Sequence, residues 1–460
     1  MARALLLLAA GALRAAAQDW GTVGAWELLA PTNLGPTLGF RHATSVAGSV
    51  VMLANDTATG AQRAVAYDVA MNAWSTWADL AAPPMRDPNL FTIGGQVYVV
   101  DETDMTALAY IDSDGAAGNA WVYPSVSGGP TVARIGERFV AWGSTIYSFG
   151  GVDLGTATFH NDVWALDSAA LMSTRSGAWQ LAAPDGLPGM PPGRMAYSLT
   201  AFGTVVIMYG GVSIDSPAPG ADARACYSPA TSAVCTFHHS VWVFAPGNKQ
   251  AGTGTVSAAQ WQRIPDAGAY GAAGPAGRMS HVAGAMGDQL FVYGGITASG
   301  ATTELWAFNL VTQTWQQVAY GAPAPTLAGD IGMGAGLVIG RHLYKYVQAL
   351  DPASGRVVPY TGQLWRWAPS ASAGAGAPPE PAAPLHPAAV AAFVVTILLT
   401  AANSALLVAL ARSGGALPDW LGSCGGGGYK RPAAPVDDGF YSSSATAAAA
   451  SSSDGYVAPA

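Results

Sequence analysis

Charge is what this chain has least of. Of 460 residues, 20 are Lys or Arg and 28 are Asp or Glu. So few basic groups exclude the extensive phosphate contacts on which nucleic-acid binding depends. Cysteine is nearly absent, at three residues, which excludes a small scaffold stapled by several disulfides. No Ser-His-Asp arrangement, paired carboxylates or Gly-rich phosphate loop stands out, so no catalytic, cofactor-binding or metal-ligating residue is assigned. Asp112-Ser113-Asp114-Gly115 begins like a calcium loop but places Tyr123 where the bidentate Glu belongs. Between residues 18 and 387 there are 15 Lys and Arg against 24 Asp and Glu. That mildly acidic surface favours solubility more than any particular partner.

Glycine and tryptophan, by contrast, are plentiful, at 57 and 15 residues, and they recur in register. The clearest stretch is 277–318. It opens with Arg278-x-x-His281. An apolar run follows, closed by two glycines, Leu290-Phe291-Val292-Tyr293-Gly294-Gly295. Then come Glu304-Leu305-Trp306-Ala307-Phe308 and a segment led by Trp315. Each piece is short, β-branched or aromatic, and bounded by turn formers, which predicts four strands joined by turns. The plan recurs in 194–264 with Arg194, Tyr197, Gly210-Gly211, Trp242 and Trp261. It recurs again in 134–181 with Arg134, Gly150-Gly151, Trp164 and Trp179. Two earlier copies are weaker. One carries Arg41-His42 and has Asn55-Asp56 in place of the glycines; the other carries Arg86 and has Asp101-Glu102 there. A sixth, around His342–Tyr346 and Gln363–Trp367, stops after its third strand.

A period near about 50 residues with a glycine pair and a later Trp resembles the kelch repeat of β-propellers. The resemblance implies an all-β fold, a six-bladed kelch-type β-propeller over residues 18–367. The orphan segment Ala25-Trp26-Glu27-Leu28-Leu29 matches the fourth strand that the sixth copy lacks. It is expected to close that blade beside Leu364–Trp367, which hides an open edge. The glycine pairs fall where strands end near the ring axis, where crowded backbone calls for φ > 0 and close approach. His42 and His281 read as structural members of the repeat signature. Functionally the resemblance implies a binding module, not an enzyme, that recognises a protein or glycan through its loops, with no cofactor. The alternative is an enzyme similar to galactose oxidase, whose copper site uses Tyr and His ligands and a Tyr–Cys crosslink. That family's seventh blade and extra C-terminal β-domain are missing.

The flanks place the propeller. Residues 1–17 have a basic start, an apolar run and small residues before Gln18, the pattern of a cleaved secretory signal peptide. Residues 368–387 are a Pro/Ala-rich linker. Residues 388–411 carry no charge, and at about 1.5 Å per residue they reach roughly 36 Å, enough to span a bilayer as one transmembrane helix. Arg412, Lys430 and Arg431 follow that span, which puts the 412–460 tail in the cytosol. The tail is rich in Gly, Ala and Ser and reads as disordered. The expected arrangement is a single-pass type I membrane protein with the propeller extracellular or lumenal.

Within the propeller, Asn55-Asp56-Thr57 is a glycosylation acceptor, expected in a loop that follows a strand. The longest interruption, 212–239, holds Cys226 and Cys235. An even pair in an oxidising compartment predicts a disulfide; the alternative, a zinc site with His238 and His239, lacks standard spacing. Cys424 lies near the membrane face and is a lipidation candidate. The acidic run Asp101, Glu102 and Asp104 reads as a solvated loop. Long loops on a rigid ring are where recognition sits. The binding-loop candidates are therefore Asp101, Glu102, Asp104, Asp215, Arg224, Tyr227, His238 and His239.

Overall fold

The computed structural model describes residues 23–29, 38–56, 62–80, 85, 88–112, 120–153, 155–214, 226, 234–246, 260–264, 274–321, 323–325, 336–347 and 362–370. The fold is all-β, in an arrangement consistent with a β-propeller. Strands pair antiparallel with their sequence neighbours in four-stranded units. The first comprises Leu38–Val46, Ser49–Asp56, Gln62–Asp68 and Ala73–Leu80. The second comprises Pro88–Ile93, Gln96–Asp101, Asp104–Asp112 and Ala120–Val122. The third runs Arg138–Trp142, Thr145–Phe149, Val163–Asp167 and Ser176–Ala183. The fourth runs Ser198–Phe202, Val205–Tyr209, Val241–Ala245 and Gln260–Arg263. The fifth runs Val282–Met286, Gln289–Tyr293, Leu305–Asn309 and Thr314–Tyr320.

The sixth unit has three strands of its own, Gly336–Ile339, His342–Val347 and Gln363–Pro369. Its fourth is Val23–Leu28, from the other end of the chain. Trp26 sits opposite Trp367, Glu27 opposite Arg366 and Leu28 opposite Trp365, as the orphan segment predicts. Glu27 and Arg366 form an ion pair at 2.5 Å. The same strand also runs parallel to the outer strand of the fifth unit, with Val23 opposite Ala319 and Gly24 opposite Tyr320. Units five and six therefore share one eight-stranded sheet.

Second strands such as Ser49–Asp56 read as continuous apolar runs because both of their faces are buried. Val50 and Met52 pack with Tyr344 and Tyr346 of the sixth unit, while Val51 and Leu53 pack with Val97 and Val99 of the second. A core of this kind lies between each successive pair of units, including the sixth and the first. The first strands touch in the same order: Leu38–Val46 meets both Pro88–Ile93 and Gly336–Ile339.

Some elements escape the sequence reading. The helix Ser168–Thr174 links the third and fourth strands of unit three. Asp167 caps it by accepting from the Ala169 N–H, and Arg175 ends it at φ 52°. Ser125–Gly128 adds a fifth strand to this unit, parallel to Ser176–Ala183; at four residues it is too short to show periodicity. Small sheets also form beside units three to five. They join Arg134–Ile135 to Val152–Asp153 and Thr158–Phe159, Val212–Ile214 to Cys235–Phe237, and Arg278–Met279 to Ile296–Thr297 and Gly300–Ala301. Asn55 also departs from expectation. Its backbone is in the second strand, opposite Gly39 on one side and Gln62 on the other, because pairing runs through Asp56. The expected signal peptide, the 388–411 span, the tail and Cys424 lie outside the described residues. Among those described, no helix is long and apolar enough to cross a membrane.

The terminal strand gives a direct test. Trp26 is 5% exposed, with its ring 4.6 Å from Tyr293 and 6.3 Å from Tyr320. Trp26→Ala should cost about 3–5 kcal/mol in denaturant unfolding. Removing residues 18–30 should cost more, since it also strips ladder bonds and opens an edge. A truncated chain melting at the full-length temperature would show that the terminal strand is dispensable.

Candidate functional site

Three arginines organise the inner end of units three to five. Arg134, Arg194 and Arg278 are each at most 5% exposed. Each donates Nη1 to the carbonyl of the first glycine of its own pair: Arg134 to Gly150 at 3.1 Å, Arg194 to Gly210 at 2.8 Å and Arg278 to Gly294 at 3.0 Å. The second glycine faces the next unit. Gly151 donates its N–H to Arg194 O and Gly211 donates to Arg278 O. Both members of a pair have positive φ, 71° and 93° for Gly210 and Gly211. A Cβ on Gly210 would lie 2.6 Å from Arg278 O. These pairs are thus obligatory at a left-handed conformation and at a close approach of two units.

A counter-charge sits above two of the arginines. Asp162 receives Arg134 through both oxygens, at 2.6 and 3.0 Å, and Glu304 receives Arg278 Nη2 at 2.7 Å. The indoles of Trp164 and Trp306 donate to the same carboxylates. Burial pulls Glu304 upward, but the bonds from Arg278 and Trp306 outweigh it and hold the carboxyl below its ordinary range. In unit four the equivalent position is Ser240, and Trp242 donates to its hydroxyl at 3.0 Å. Arg194 therefore has no carboxylate partner among the described residues, and its Nη2 has no hydrogen-bond partner. Burial lowers its pKa to about 9, so it stays charged at neutral pH, buried and uncompensated.

Unit two solves the same inter-unit link differently. Asp101 and Glu102 replace the glycines and are each 5% exposed, not solvated as the acidic run suggests. Glu102 accepts from Gly136 N at 2.5 Å and from Arg138 Nη1 at 3.0 Å, and also binds the Asn89 amide. Its carboxylate makes the connection that a glycine N–H makes elsewhere. Asp104 is exposed and closes its own turn by accepting from Thr106.

Cys226 and Cys235 form the expected disulfide. Cys226 is fully buried beside Val152, Met195, Val212, Ile214, Met279 and Ile296, residues that follow the arginines or the glycine pairs of three successive units. The insertion is therefore anchored in a small core over the inner seam. His238 pairs with Ser213 Oγ at 2.9 Å, and His239 is exposed. Asp215, Arg224 and Tyr227 lie outside the described residues. His160, Asp162 and Asp185 bring three ligand-type atoms within 4.8 Å of one another. Those atoms are already engaged: Asp162 with Arg134, and Asp185 with His160 at 2.6 Å and with the Asn161 and Asp162 N–H groups. The group reads as an ion-pair network.

Loops joining second to third strands, and fourth strands to the next unit, share one face of antiparallel units connected in this order. Val132, Leu187 and Val234 are on that face and are 40%, 45% and 61% exposed. A cavity of about 200 Å³ opens beside Val132, lined by Glu102, Thr103, Asp104, Met105 and Thr106 among others. The sequence reading missed the exposed apolar trio, which follows no period. It also left the arginines unassigned, although a constant spacing of 16 to the first glycine was there to be read.

The Kelch motif family model matches residues 277–320. The chain is also similar to Kelch domain-containing protein 3 of Bos taurus, 26% identical over 236 residues, and to the Homo sapiens protein of that name, 25% identical over the same length. Each match covers 49% of this chain and 53% of the relative, so it spans about half the length of either relative.

Ser240 supplies the test of the charge arrangement. Ser240→Asp should give Arg194 the carboxylate that Asp162 gives Arg134, raising stability by about 1.5–3 kcal/mol. The readout is the denaturant midpoint at neutral pH. A lowered midpoint would mean that Arg194 is compensated by a group outside the described residues.

Proposed function

From a chain that carries kelch repeats, we propose a membrane-anchored binding module: a six-bladed propeller held outside the cytosol by a single span, recognising a protein partner through its loop face. The carrying observation is the disulfide-anchored insertion of unit four. Cys226 ties it into the core over the seam, while Val234, next to Cys235, is 61% exposed. A loop held this way meets a partner with little ordering cost. The cyclic order of inter-unit cores supports six blades. Against the galactose-oxidase alternative, Cys226 and Cys235 are bonded to each other, so neither is free for a Tyr–Cys crosslink. The apolar 388–411 segment and the basic residues after it support the type I arrangement.

Affinity capture with residues 18–370 as bait should recover a protein; binding to a glycan array alone would move the partner class. Replacing Ile214–Thr236 by a short turn would delete Ile214 and Cys226 from the seam core. The cleaner variant is Arg224→Ala, Tyr227→Ala, His239→Ala with the disulfide intact. It should lose at least about tenfold in affinity for the captured partner. Unchanged affinity would send the site to the opposite face, where the Ser168–Thr174 helix lies.

Topology has its own measurement. In sealed vesicles, a protease on one side should cleave an epitope in the propeller or one in the tail, never both. Cleavage of both from one side rejects the type I arrangement.

A further inference from the structure

We propose that the inner seam of units three to five is a pH-sensitive device: Glu137, kept as a neutral acid, and His281, kept as a neutral imidazole, hold it tightest in a mildly acidic medium. The proposal is independent of the binding reading above.

The two residues occupy one register position. Counting from the seam arginines, Arg134, Arg194 and Arg278, the third residue on is Glu137, Tyr197 and His281. Each faces the preceding unit. Tyr197 donates its hydroxyl to Phe149 O and accepts from Arg138 N, and His281 Nε2 pairs with Ser198 Oγ at 2.9 Å. Glu137 is 0% exposed, and neither of its carboxylate oxygens has a hydrogen-bond partner. Gly151 packs against it so closely that a Cβ there would lie 2.5 Å from Glu137 Cγ.

A charge count around Glu137 decides its state. The groups facing it are Arg134 of its own unit, Glu102 of unit two, Asp162 of unit three and Tyr197 of unit four. Arg134 approaches to 3.8 Å but is already held by both oxygens of Asp162 and by Gly150 O. The other nearby guanidinium, Arg138, is paired with Glu102. Two cations therefore meet three carboxyls, and the fully buried one, to which neither guanidinium donates a hydrogen bond, keeps its proton. Burial raises its pKa well above the ordinary value, with Arg134 and the Ser148 hydroxyl opposing and Glu102 and Asp162 reinforcing. At His281 the surplus has the other sign. Its charged neighbours are Arg278 and Arg138, with the Tyr209 ring 5.1 Å away. Arg278 is itself engaged by Glu304 and Gly294. Burial first, then those two cations, lowers the imidazole to about 3.

The signs give a window. Glu137, raised from 4.5, contributes stability that is complete below about 4.5 and is lost as pH rises toward its folded value. His281, lowered from 6.5 to about 3, contributes stability that is complete above about 6.5 and is lost as pH falls toward 3. Between about 4.5 and 6.5 the two slopes oppose and cancel. Above about 6.5 only the Glu137 slope remains, and the seam weakens until that carboxyl has ionised.

The test is equilibrium unfolding of the full chain across about pH 3 to 9, for the wild type and for Glu137→Gln and His281→Gln. Glu137→Gln keeps the shape and cannot ionise. Its unfolding constant relative to wild type should fall by up to about tenfold per pH unit above about 4.5, until Glu137 has ionised in the folded protein, and His281→Gln should flatten the limb below about 4.5. A wild-type to Glu137→Gln ratio that stays constant from about pH 4.5 to 9 overturns the proposal. Should that variant fail to fold, infrared spectra of the wild type in mildly acidic medium, above the ordinary carboxyl range, decide. The carbonyl stretch of a protonated carboxylic acid is expected, and its absence overturns the proposal.

Discussion

The arrangement at the inner end of the units depends on one bond made three times, a buried guanidinium donating to the carbonyl of a glycine with positive φ. Arg134, Arg194 and Arg278 each hold the first glycine of a pair, and in units three and four the second, Gly151 or Gly211, turns its N–H to the next unit. That single geometry orients a strand end, fixes a turn and joins two units. It also explains why alanine is excluded at Gly210, where Arg278 O and the His281 ring of the neighbouring unit occupy the Cβ position, and at Gly211, where Tyr197 and Met195 of its own unit do. A side chain can do the same work only if it supplies the missing polar group itself. Glu102 does so by accepting from Gly136 N and Arg138.

Much of this was legible in the chain. The four-strand plan, the closing strand at Trp26 and the disulfide all follow from local pattern: short apolar runs bounded by turn residues, an orphan match to a missing strand, and an even pair of cysteines. The charge logic of the seam was only half legible. Asp162 and Glu304 stand two residues before Trp164 and Trp306, but nothing local says that their side chains bond an arginine 28 and 26 positions away. Asp101 and Glu102 read as solvated because carboxylates usually are, and only the fold shows that they stand at a buried end. The helix Ser168–Thr174 and the strand Ser125–Gly128 are too short to carry a period.

Uneven satisfaction of polar groups runs through the same region. Units three and five pair their arginine; unit four leaves Arg194 with a serine. Unit three also carries Glu137, a carboxyl with no hydrogen bond. Buried charge without a partner destabilises a fold, so this stretch of the seam is less stable than a fully paired one. The disulfide-anchored segment lies directly over it, with Cys226 packed among residues of all three units. Stability lost in the charge layer is offset by apolar packing and a covalent tie in the layer above.

The pairing of Val23–Leu28 with Gln363–Pro369 reaches beyond stability, to the order of assembly. The first of the described strands has its partners, Trp365 and Trp367, in the last of them. Until those residues emerge, the strand carrying Trp26 lacks its antiparallel partner and has only the short parallel pairing with Thr314–Tyr320. Contacts of such long sequence separation form late and slowly, and a growing chain folds from its N-terminus forward. Closure is therefore a late event that joins the first described strand to the last. A chain interrupted anywhere before residue 363 is left with both edges exposed, which is the form most prone to pair with a neighbour.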